Sequence, residues 1–211
     1  MSYSDIYLYG CGGHGKVILD ILQCQGRNVK AFVDDHPPTG LNYIHGVPIL
    51  PTKVALSTVG RNTSAWIVSI GNNLVRQSIS QKLVSQGYSF TTAIHPSAQI
   101  GMGVKIGAGT VIMANVVINC DTAIGQHAII NTGATVDHDC LIGDYVHIAP
   151  GSALCGQVNL GSGVFIGVGS ALCPMVQIGS YTTCGAGSLV LQSLPANSLA
   201  YGSPAKVVRQ A

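Results

Sequence analysis

One short segment of the sequence, Asp137-His138-Asp139, concentrates side chains that can do acid–base chemistry. Histidine is the side chain whose ordinary pKa lies near neutrality, so it can accept a proton near pH 7. A carboxylate beside it can orient the imidazole ring and stabilise its protonated form, as in a catalytic triad. Successive side chains of a strand point to opposite faces, so adjacency alone does not establish a contact. The segment predicts a general base at His138.

A second segment, GCGGHG at Gly10–Gly15, has the spacing of a phosphate-binding turn. It lies between the apolar run IYLY and a predicted helix, which is the setting of the dinucleotide fingerprint G-x-G-x-x-G. Glycines there let the backbone approach a phosphate at the helix N-terminus. The same glycines also occur where a tight turn packs a helix on a strand. Taken alone, the motif leaves both interpretations open.

The element that carries His138 is defined by a six-residue repeat. From residue 94 onward an aliphatic or small apolar residue leads each group of six, and we call these the lead positions. They are Ile94, Ile100, Ile106, Ile112, Ile118, Ile124, Ile130, Val136, Ile142, Ile148, Leu154, Leu160, Ile166, Leu172, Ile178 and Cys184. The fourth residue after each lead is small or β-branched. A period of six fits neither a helix nor a plain amphipathic strand.

The repeat predicts a parallel β-helix of triangular section, with one hexad on each side and 18 residues in each coil. Leads would stack inside in three ladders over a little more than five coils. The residue directly after each lead is mostly Gly or Asn, and we expect left-handed backbone there at the corners. Asp137 belongs to this column, which favours a turn-forming role for it.

Residues 1–93 show alternating strand and helix patterns, which predict a small α/β unit with a parallel sheet. The predicted strands are IYLY, NVKAFVDD, VPIL and AWIVSIG, and the predicted helices are Lys16–Gln25, PTKVALSTVG and Asn73–Gln86. The unit is half the size of a full dinucleotide domain, so it has room for one nucleotide rather than NAD. Asp34 and Asp35 end the second strand, where carboxylates accept hydrogen bonds from a sugar or base. A nucleotide-linked sugar is therefore the expected ligand.

Composition excludes several functional classes. The net charge of +2, without a cluster of Lys or Arg, argues against nucleic acid as a partner. The N-terminus lacks the features of a signal peptide, and no apolar run approaches a membrane span. The seven cysteines are interpreted as thiols in a reducing cytoplasm. His95, His127, His138 and His147 occupy different hexad positions, so no metal is expected.

Five segments together resemble the NeuD-type sugar acyltransferases: GCGGHGKV, VDD, SIGNN (69–73), AIHPSA (93–98) and NTGATVDHDCLIGDYVHIAPG (131–151). The resemblance spans nearly the whole chain. It implies an α/β half-Rossmann unit (1–93), a left-handed parallel β-helix of hexapeptide repeats (94–194) and a C-terminal tail (195–211) near CoA, with GSPAK at 202–206. The first and last parts would cover the two ends of the coil. Members of the wider hexapeptide-repeat superfamily are typically trimers, with acyl-CoA between neighbouring helices.

The resemblance also implies residue roles. His138 would be the base and Asp139 the group that raises its basicity. The nucleotide part of the sugar substrate would be held by Gly12, Gly13, His14, Asp34 and Asp35. Acetyl-CoA would contact His147, Gly156, Val168 and Ala186. His147 lies half a coil out of phase with His138, so it would meet His138 of a neighbouring copy instead. Lys206 and Arg209 are candidates for the CoA phosphates.

The expected activity is acetyl transfer from acetyl-CoA to the amino group of a UDP- or dTDP-linked 4-amino-4,6-dideoxy sugar in a surface-glycan pathway. Three alternatives stay open at this point. The acceptor could be a hydroxyl group, as in O-acetylation of sialic acid. The glycine-rich turn could belong to an NAD-dependent reductase or sensor. The coil could also be a catalytically silent scaffold.

Overall fold

The computed structural model describes residues 5–61 and 63–210, so the first four residues of the predicted 1–93 unit and the last residue of the predicted tail lie outside the described residues. The N-terminal elements are β1 (Asp5–Tyr9), α1 (Gly13–Cys24), β2 (Val29–Asp34), β3 (Tyr43–Ile44), β4 (Val47–Pro51), α2 (Thr52–Thr58), β5 (Ser64–Val68), α3 (Asn73–Ser85) and β6 (Ser89–Phe90). Their sheet has the order β3-β4-β2-β1-β5-β6. The Rossmann-like prediction is confirmed.

The sheet is parallel except for one hairpin. Strand β3 pairs antiparallel with β4 across a turn at His45 and Gly46, whose φ values are 48° and 80°. The sequence pattern did not predict β3, because the pair His-Gly lacks the Asn-Gly or Asp-Gly signal typical of such turns. Both faces of β1 are buried, as is usual for a parallel strand: Ile6 and Leu8 pack with α1, and Tyr7 stacks on Trp66 with ring centroids 5.2 Å apart.

The rest of the chain is a parallel β-helix, and the hexad prediction is confirmed. The lead positions are the second residues of short strands, and from Ile112 onward their side chains are buried. The strands are β7 (Ala93–Ile94), β8 (Gln99–Ile100), β9 (Lys105–Ile106), β10 (Val111–Ile112), β11 (Val117–Ile118), β12 (Ala123–Ile124), β13 (Ile129–Ile130), β14 (Thr135–Val136), β15 (Leu141–Ile142), β16 (His147–Ile148), β17 (Ala153–Leu154), β18 (Asn159–Leu160), β19 (Phe165–Ile166), β20 (Ala171–Leu172), β21 (Gln177–Ile178), β22 (Thr183–Cys184) and β23 (Leu189–Val190).

The strands form three sheets, one on each side of the prism. Side one holds β7, β10, β13, β16, β19 and β22; side two holds β8, β11, β14, β17, β20 and β23; side three holds β9, β12, β15, β18 and β21. Neighbouring strands within one side are 18 residues apart in the sequence, as the paired residues Val136 and Leu154 are. Each side chain therefore has a counterpart directly above it, one coil along the axis.

The corner prediction is wrong in position. From Ile100 onward, left-handed backbone occurs at the third residue after each lead, not at the first, and residues such as Asp139 (φ 56°) and Tyr145 (φ 60°) adopt it. The glycines directly after the leads have a different reason. A Cβ on Gly167 would lie 2.5 Å from the backbone nitrogen of Ala186 in the next coil. Glycine is needed there because the coils approach closely, not because φ is positive.

This difference gives a stability test with a matched pair. Gly167→Asn should lower the free energy of unfolding by about 2 kcal/mol or more, because overpacked atoms must push two coils apart. Gly169→Asn should cost only about a few tenths of a kcal/mol, because Gly169 has φ 66° and open space around its Cβ position, a conformation that Asn tolerates. Urea denaturation of both variants checks this, and equal losses would contradict it.

One end of the coil is covered as expected, and the other is not covered by the N-terminal unit. After the coil, β24 (Ser198–Gly202) extends side one by pairing with β22, and β25 (Ala205–Gln210) folds back on β24 as a hairpin. Leu194 and Ala200 join the coil core, so this segment covers one end. The N-terminal unit instead packs on a side of the first coils: α1 shares a buried cluster with Ala93, Val111 and Ile129 of side one.

Candidate active site

His138 lies at the corner that joins side two to side three, and it contacts Asp139. The imidazole Nδ1 is 2.8 Å from Asp139 Oδ2. Left-handed backbone at Asp139 turns this carboxylate toward the ring, which an extended strand would not do. With Nδ1–H donating to the carboxylate, Nε2 carries the free lone pair. The hydrogen bond with Asp139, helped by the charge of Asp137, raises the pKa of His138.

Asp137 supports the corner from the other side. Its Oδ1 accepts from Asn119 Nδ2 at 2.7 Å and from the His138 backbone N–H at 2.8 Å. These two hydrogen bonds, the one from Asn119 first, lower the pKa of Asp137. Asp137 therefore supports the turn through these side-chain hydrogen bonds and not through left-handed backbone, while Asp139 is the aspartate that reaches the ring.

Gly156 lies one coil above His138, and its lack of a side chain makes room for the imidazole ring. A Cβ at Gly156 would lie 2.7 Å from both Cε1 and Nε2 of His138. In the single chain the side chains of His138 and Asp139 are 47% and 55% exposed. The half-exposed ring is therefore accessible to a ligand or to another copy of the chain.

Gly156→Ala should lower kcat about 10- to 100-fold without lowering stability. The half-exposed imidazole can swing away from the new methyl group at little cost, but it then leaves Asp139 and the position of the base. A misplacement of about 1 Å can cost about 10²-fold in rate. Steady-state kinetics and thermal unfolding of the same preparation check both parts. A wild-type kcat would contradict the placement of the ring.

His147 projects from β16 on side one and is held at both ring nitrogens. Nδ1 is 3.2 Å from the Gly71 carbonyl oxygen, and Nε2 is 3.2 Å from Asn131 Nδ2. Asn131 Oδ1 accepts from the Thr132 N–H at 2.8 Å, which fixes the orientation of the amide. Burial, reinforced by the nearby charge of Arg76, lowers the pKa of His147 to about 4. The ring is neutral at pH 7.

The glycine-rich turn presents Gly12 and Gly13 to solvent at the start of α1. Neither glycine has an atom within 4 Å of its Cβ position, whereas a Cβ on Gly15 would lie 2.5 Å from the Gly10 carbonyl oxygen. Gly12 is the N-cap of α1 and no side chain caps it. Gly12 and Gly13 therefore leave their backbone N–H groups available to a ligand. Gly15 instead allows α1 to pack closely on the end of β1.

His14 lies in the first turn of α1 and faces the junction with the coil. Its Nε2 is buried and has no hydrogen-bond partner in the described part of the chain. Burial, followed by the proximity of His147 and Arg76, lowers the pKa of His14 to about 4. A neutral imidazole with an unused nitrogen is suited to hydrogen-bond a ligand that enters the junction.

The two acids that end β2 have different environments. Asp34 accepts from the backbone N–H and the thiol of Cys11 and from the backbone N–H of His36. It therefore fastens the glycine-rich turn. Asp35 Oδ1 accepts from the Tyr9 hydroxyl at 2.9 Å, and the residue is exposed, so its second oxygen is accessible to a ligand. Of the two, only Asp35 has a carboxylate oxygen without a partner among these contacts.

The structure does not bring the predicted acetyl-CoA residues together within one chain. Gly156 shares the corner of His138. Val168 and Ala186 follow β19 and β22 at the corner between sides one and two, and Val168 is 52% exposed there. His147 lies on side one itself. One side of the prism therefore separates His138 from Val168 and Ala186.

A cleft follows side one upward from the junction. Its lower part is a cavity of about 300 Å³ between the segment 71–74 and the coil residues Phe165, Tyr181 and Thr183. Its upper part is lined by Tyr181, Thr183 and Arg209 of the C-terminal hairpin. A basic side chain at the top of a cleft is placed to meet an anionic group, and sequence reasoning did not predict the lower cavity.

The other two histidines of the coil, His127 and His95, have structural environments. His127 is buried between the rings of Tyr145, stacked at 5.3 Å, and Phe90, edge-on at 4.5 Å. Burial, with the charge of Arg76 as a smaller cause, lowers its pKa to about 4. His95 Nδ1 accepts from the Ser97 backbone N–H at 3.0 Å and fixes the first corner of the coil.

One group of potential metal ligands occurs among residues 5–61 and 63–210: Asp20, Cys24 and His95 have ligand atoms within 4.8 Å of one another. His95 Nδ1 already has two contacts, with the Ser97 backbone nitrogen at 3.0 Å and with Ser97 Oγ at 2.7 Å. Asp20 and Cys24 are exposed, so this group by itself does not indicate a metal site.

The neutral histidines predict acid sensitivity. In the unfolded chain His14, His127 and His147 take up protons near pH 6.5, but in the folded chain only near pH 4. Between these two pH values the unfolded state therefore binds more protons than the folded state. The free energy of unfolding should decrease as the pH is lowered, by up to about 1.4 kcal/mol per pH unit for each histidine. Urea denaturation at pH 7 and pH 5 checks this. His127→Asn, which suits φ 53°, should flatten the dependence, and an unchanged slope would contradict the assignment.

Comparison with known proteins gives matches along the whole chain. The family model "PglD N-terminal domain" matches residues 5–83, and "Bacterial transferase hexapeptide (six repeats)" matches residues 121–156. UDP-N-acetylbacillosamine N-acetyltransferase of Bacillus subtilis (strain 168) is 36% identical over 114 residues, which are 52% of this chain and 51% of that protein. The chain therefore spans about half the length of this curated relative.

Two solved structures match over nearly their full length. PerB from Caulobacter crescentus, in complex with CoA and GDP-perosamine, is 41% identical with a TM-score of 0.90, and the match covers 98% of both chains. The acetyltransferase domain of PglB from Neisseria gonorrhoeae FA1090, in complex with acetyl coenzyme A, is 32% identical with a TM-score of 0.90, covering 98% of this chain and 100% of that one.

Within the described residues, no helix has the length and apolar character needed to cross a bilayer.

Proposed function

Because the chain belongs to the NeuD/PglD-type family of sugar acyltransferases, we propose that it transfers an acetyl group from acetyl-CoA to the amino group of a nucleotide-linked amino sugar, with His138 as the general base. The observation that carries this proposal is the pair His138–Asp139: Nδ1 is 2.8 Å from the carboxylate, and the side chain of His138, which packs under Gly156, is half exposed. A base oriented in this way and accessible to substrate is what attack by an amine requires.

The reaction follows from this geometry. The neutral amine of the sugar attacks the thioester carbonyl carbon, and a C–N bond forms. His138 Nε2 accepts the proton that the nitrogen releases, and Asp139 stabilises the resulting imidazolium. The C–S bond then breaks, and the imidazolium returns the proton to the CoA sulfur. Transfer is direct, so no acetyl-enzyme intermediate is formed.

The site needs a second copy of the chain. His138 lies at one corner of the prism, and the acetyl-CoA residues Val168 and Ala186 lie at another. Neighbouring coils of a homotrimer would set the His138 corner of one copy against side one of the next, so that acetyl-CoA lies between them. The same arrangement would bring His147 of one copy near His138 of another and would cover the exposed Nε2.

The nucleotide would bind at the edge of the N-terminal sheet. Gly12 and Gly13 offer backbone N–H groups to phosphate, His14 offers its unused Nε2, and Asp35 offers a carboxylate oxygen to a sugar or base. Asp34 would act indirectly, by holding Cys11 and the turn. The sequence favoured a UDP- or dTDP-linked 4-amino-4,6-dideoxy sugar. We add a GDP-linked amino sugar as the first candidate, because PerB was solved with GDP-perosamine.

The test is a panel assay. The protein is incubated with acetyl-CoA and GDP-, UDP- or dTDP-linked 4-amino sugars, and released CoA thiol and product mass are measured. We expect one nucleotide series to gain one acetyl group on nitrogen. Sialic acid serves as the hydroxyl acceptor, and acetylation of it alone would favour the O-acetyltransferase alternative. No thiol release above background with any acceptor would overturn the proposal.

The seven unpaired cysteines and the use of acetyl-CoA favour the cytoplasm as the location of this protein.

A further inference from the structure

Arg76 on α3 is buried at the junction between the N-terminal unit and the coil, with 1% of its surface exposed. Its guanidinium donates five hydrogen bonds, all to neutral oxygens. They go to the carbonyls of Ile70 (2.9 Å), Gly71 (3.1 Å), His127 (2.8 Å) and Tyr145 (2.9 Å) and to Asn73 Oδ1 (2.8 Å). In the described part of the chain no carboxylate forms an ion pair with it. A buried charge without a counter-charge is costly, so this arrangement calls for a reason.

The hydrogen bonds of Arg76 join two parts of the chain. His127 and Tyr145 occupy successive coils at the corner between sides three and one, both with left-handed backbone. Ile70, Gly71 and Asn73 belong to the segment that follows β5 at the nucleotide edge of the N-terminal sheet. The planar guanidinium therefore fastens this segment to the coil in a fixed geometry, which its five directed N–H groups make possible.

His147 uses the same carbonyl as Arg76. The Gly71 oxygen accepts from Arg76 Nη1 and lies 3.2 Å from His147 Nδ1. Because the Asn131 amide nitrogen can only donate, His147 Nε2 must accept, and Nδ1 must carry the proton. The contacts thus define one tautomer of a neutral ring.

The surrounding charges agree with this assignment. Arg76 from α3 and His14 from α1 face His147, and Asn131 and Phe165 are its neutral neighbours. Asp144 acts on His127. Burial is the main cause of the low pKa of each histidine, and Arg76 contributes to all three.

We propose that Arg76 is a positioning residue for acetyl transfer: through the shared Gly71 carbonyl it fixes the segment 70–73 against the coil and holds His147 as the neutral Nδ1–H tautomer. The proposal rests on the proposed function, since it takes the junction as the place where nucleotide sugar and acetyl-CoA meet. The hydrogen bonds of the forked guanidinium would hold segment 70–73 in place for the nucleotide sugar. The unpaired positive charge would keep His147 neutral. Two substitutions separate these roles.

Arg76→Gln removes the charge, and Arg76→Lys keeps it without the fork. Arg27→Gln is the matched control, because half-buried Arg27 also bridges the junction, to the Thr92 carbonyl at 2.6 Å and Thr91 Oγ1 at 2.7 Å, away from the histidines. The first measurement is the NMR titration of the His147 Cε1–H signal in the free protein, assigned by its loss in His147→Gln. We expect no midpoint above about pH 5 in the wild type, Arg76→Lys and Arg27→Gln, and an upward shift of at least about one unit in Arg76→Gln. An unchanged midpoint in Arg76→Gln would overturn the charge role.

The second measurement is the split between the two KM values. Arg76→Lys should raise KM for the nucleotide sugar about tenfold and change KM for acetyl-CoA less than about threefold, because the fork holds the sugar side. A merely structural Arg76 would lower the active fraction and leave both KM values unchanged, and that result would overturn the positioning role. This variant keeps the proposal testable should Arg76→Gln not fold. The titration is measured without substrate. It therefore tests the effect of Arg76 on His147 even if the proposed acetyl transfer is not observed.

Discussion

His138→Ala should lower kcat by about 10²- to 10⁴-fold, the range typical of a lost general base. The corner should keep its structure, because the imidazole is half exposed and its ring hydrogen-bonds only to the side chain of Asp139 among the described residues. Binding of acetyl-CoA, measured by calorimetry, should therefore stay within a few-fold of the wild type. Turnover at the wild-type rate would remove His138 from the mechanism.

Asp139→Asn is the companion variant that reports on the base through pH. Asparagine tolerates the left-handed backbone at this position, so the corner should remain intact. The Asp139 hydrogen bond is the largest cause of the raised pKa of His138, so its loss lowers that pKa. The base must be unprotonated to act, and the acid limb of kcat/KM should therefore move to lower pH while the plateau falls. A limb that does not move would place another group in the role of base.

Two inactive variants should restore activity when they are mixed in the proposed trimer. His138→Ala removes the proposed base at one corner, and Val168→Glu places a charge at the corner proposed to bind acetyl-CoA. If each site takes one corner from each of two copies, random mixing leaves about a quarter of the sites intact, one half multiplied by one half. Co-expressed variants should then show about 25% of wild-type activity, measured on the purified mixture.

The control for this experiment uses two variants at the same corner. His138→Ala mixed with Gly156→Val damages one corner in every copy, so no recovery is expected. Recovery in neither mixture would mean that the site is complete within one chain or that copies do not exchange. An affinity tag on one variant distinguishes these two outcomes, since the untagged variant co-purifies only when the copies exchange.

The sequence predicted the coil well because its interior imposes one requirement on every hexad. An interior position must hold a small or branched apolar side chain in each coil, and this requirement produces a regular six-residue repeat in the amino-acid sequence. The corners were less predictable. Glycine serves close coil contact at Gly167 and left-handed backbone at Gly169, and the two uses look identical in a sequence.

The candidate site shows the same limit. His138 was predictable because it stands beside two carboxylates. Its contact with Asp139 was not, because it depends on a backbone φ of 56° three residues after the lead, whereas the sequence prediction placed left-handed backbone one residue after the lead. Arg76 was missed because nothing in its local sequence distinguishes a buried arginine on a helix from a solvated one. Its partners lie up to 69 residues away, at Tyr145, and only the folded chain brings them together.

The strict stacking of coils has a consequence for reach. Val168 and Ala186 differ by one coil, 18 residues, which is a step of about 4.8 Å along the axis. A chain that gained or lost one whole coil between Gly156 and Val168 would shift the upper contacts by that fixed increment without turning them to another side. In the proposed acetyl-CoA site, the number of coils would therefore set the distance that the pantetheine arm spans. That distance could change in steps of one coil while the corner that bears His138 stays unchanged.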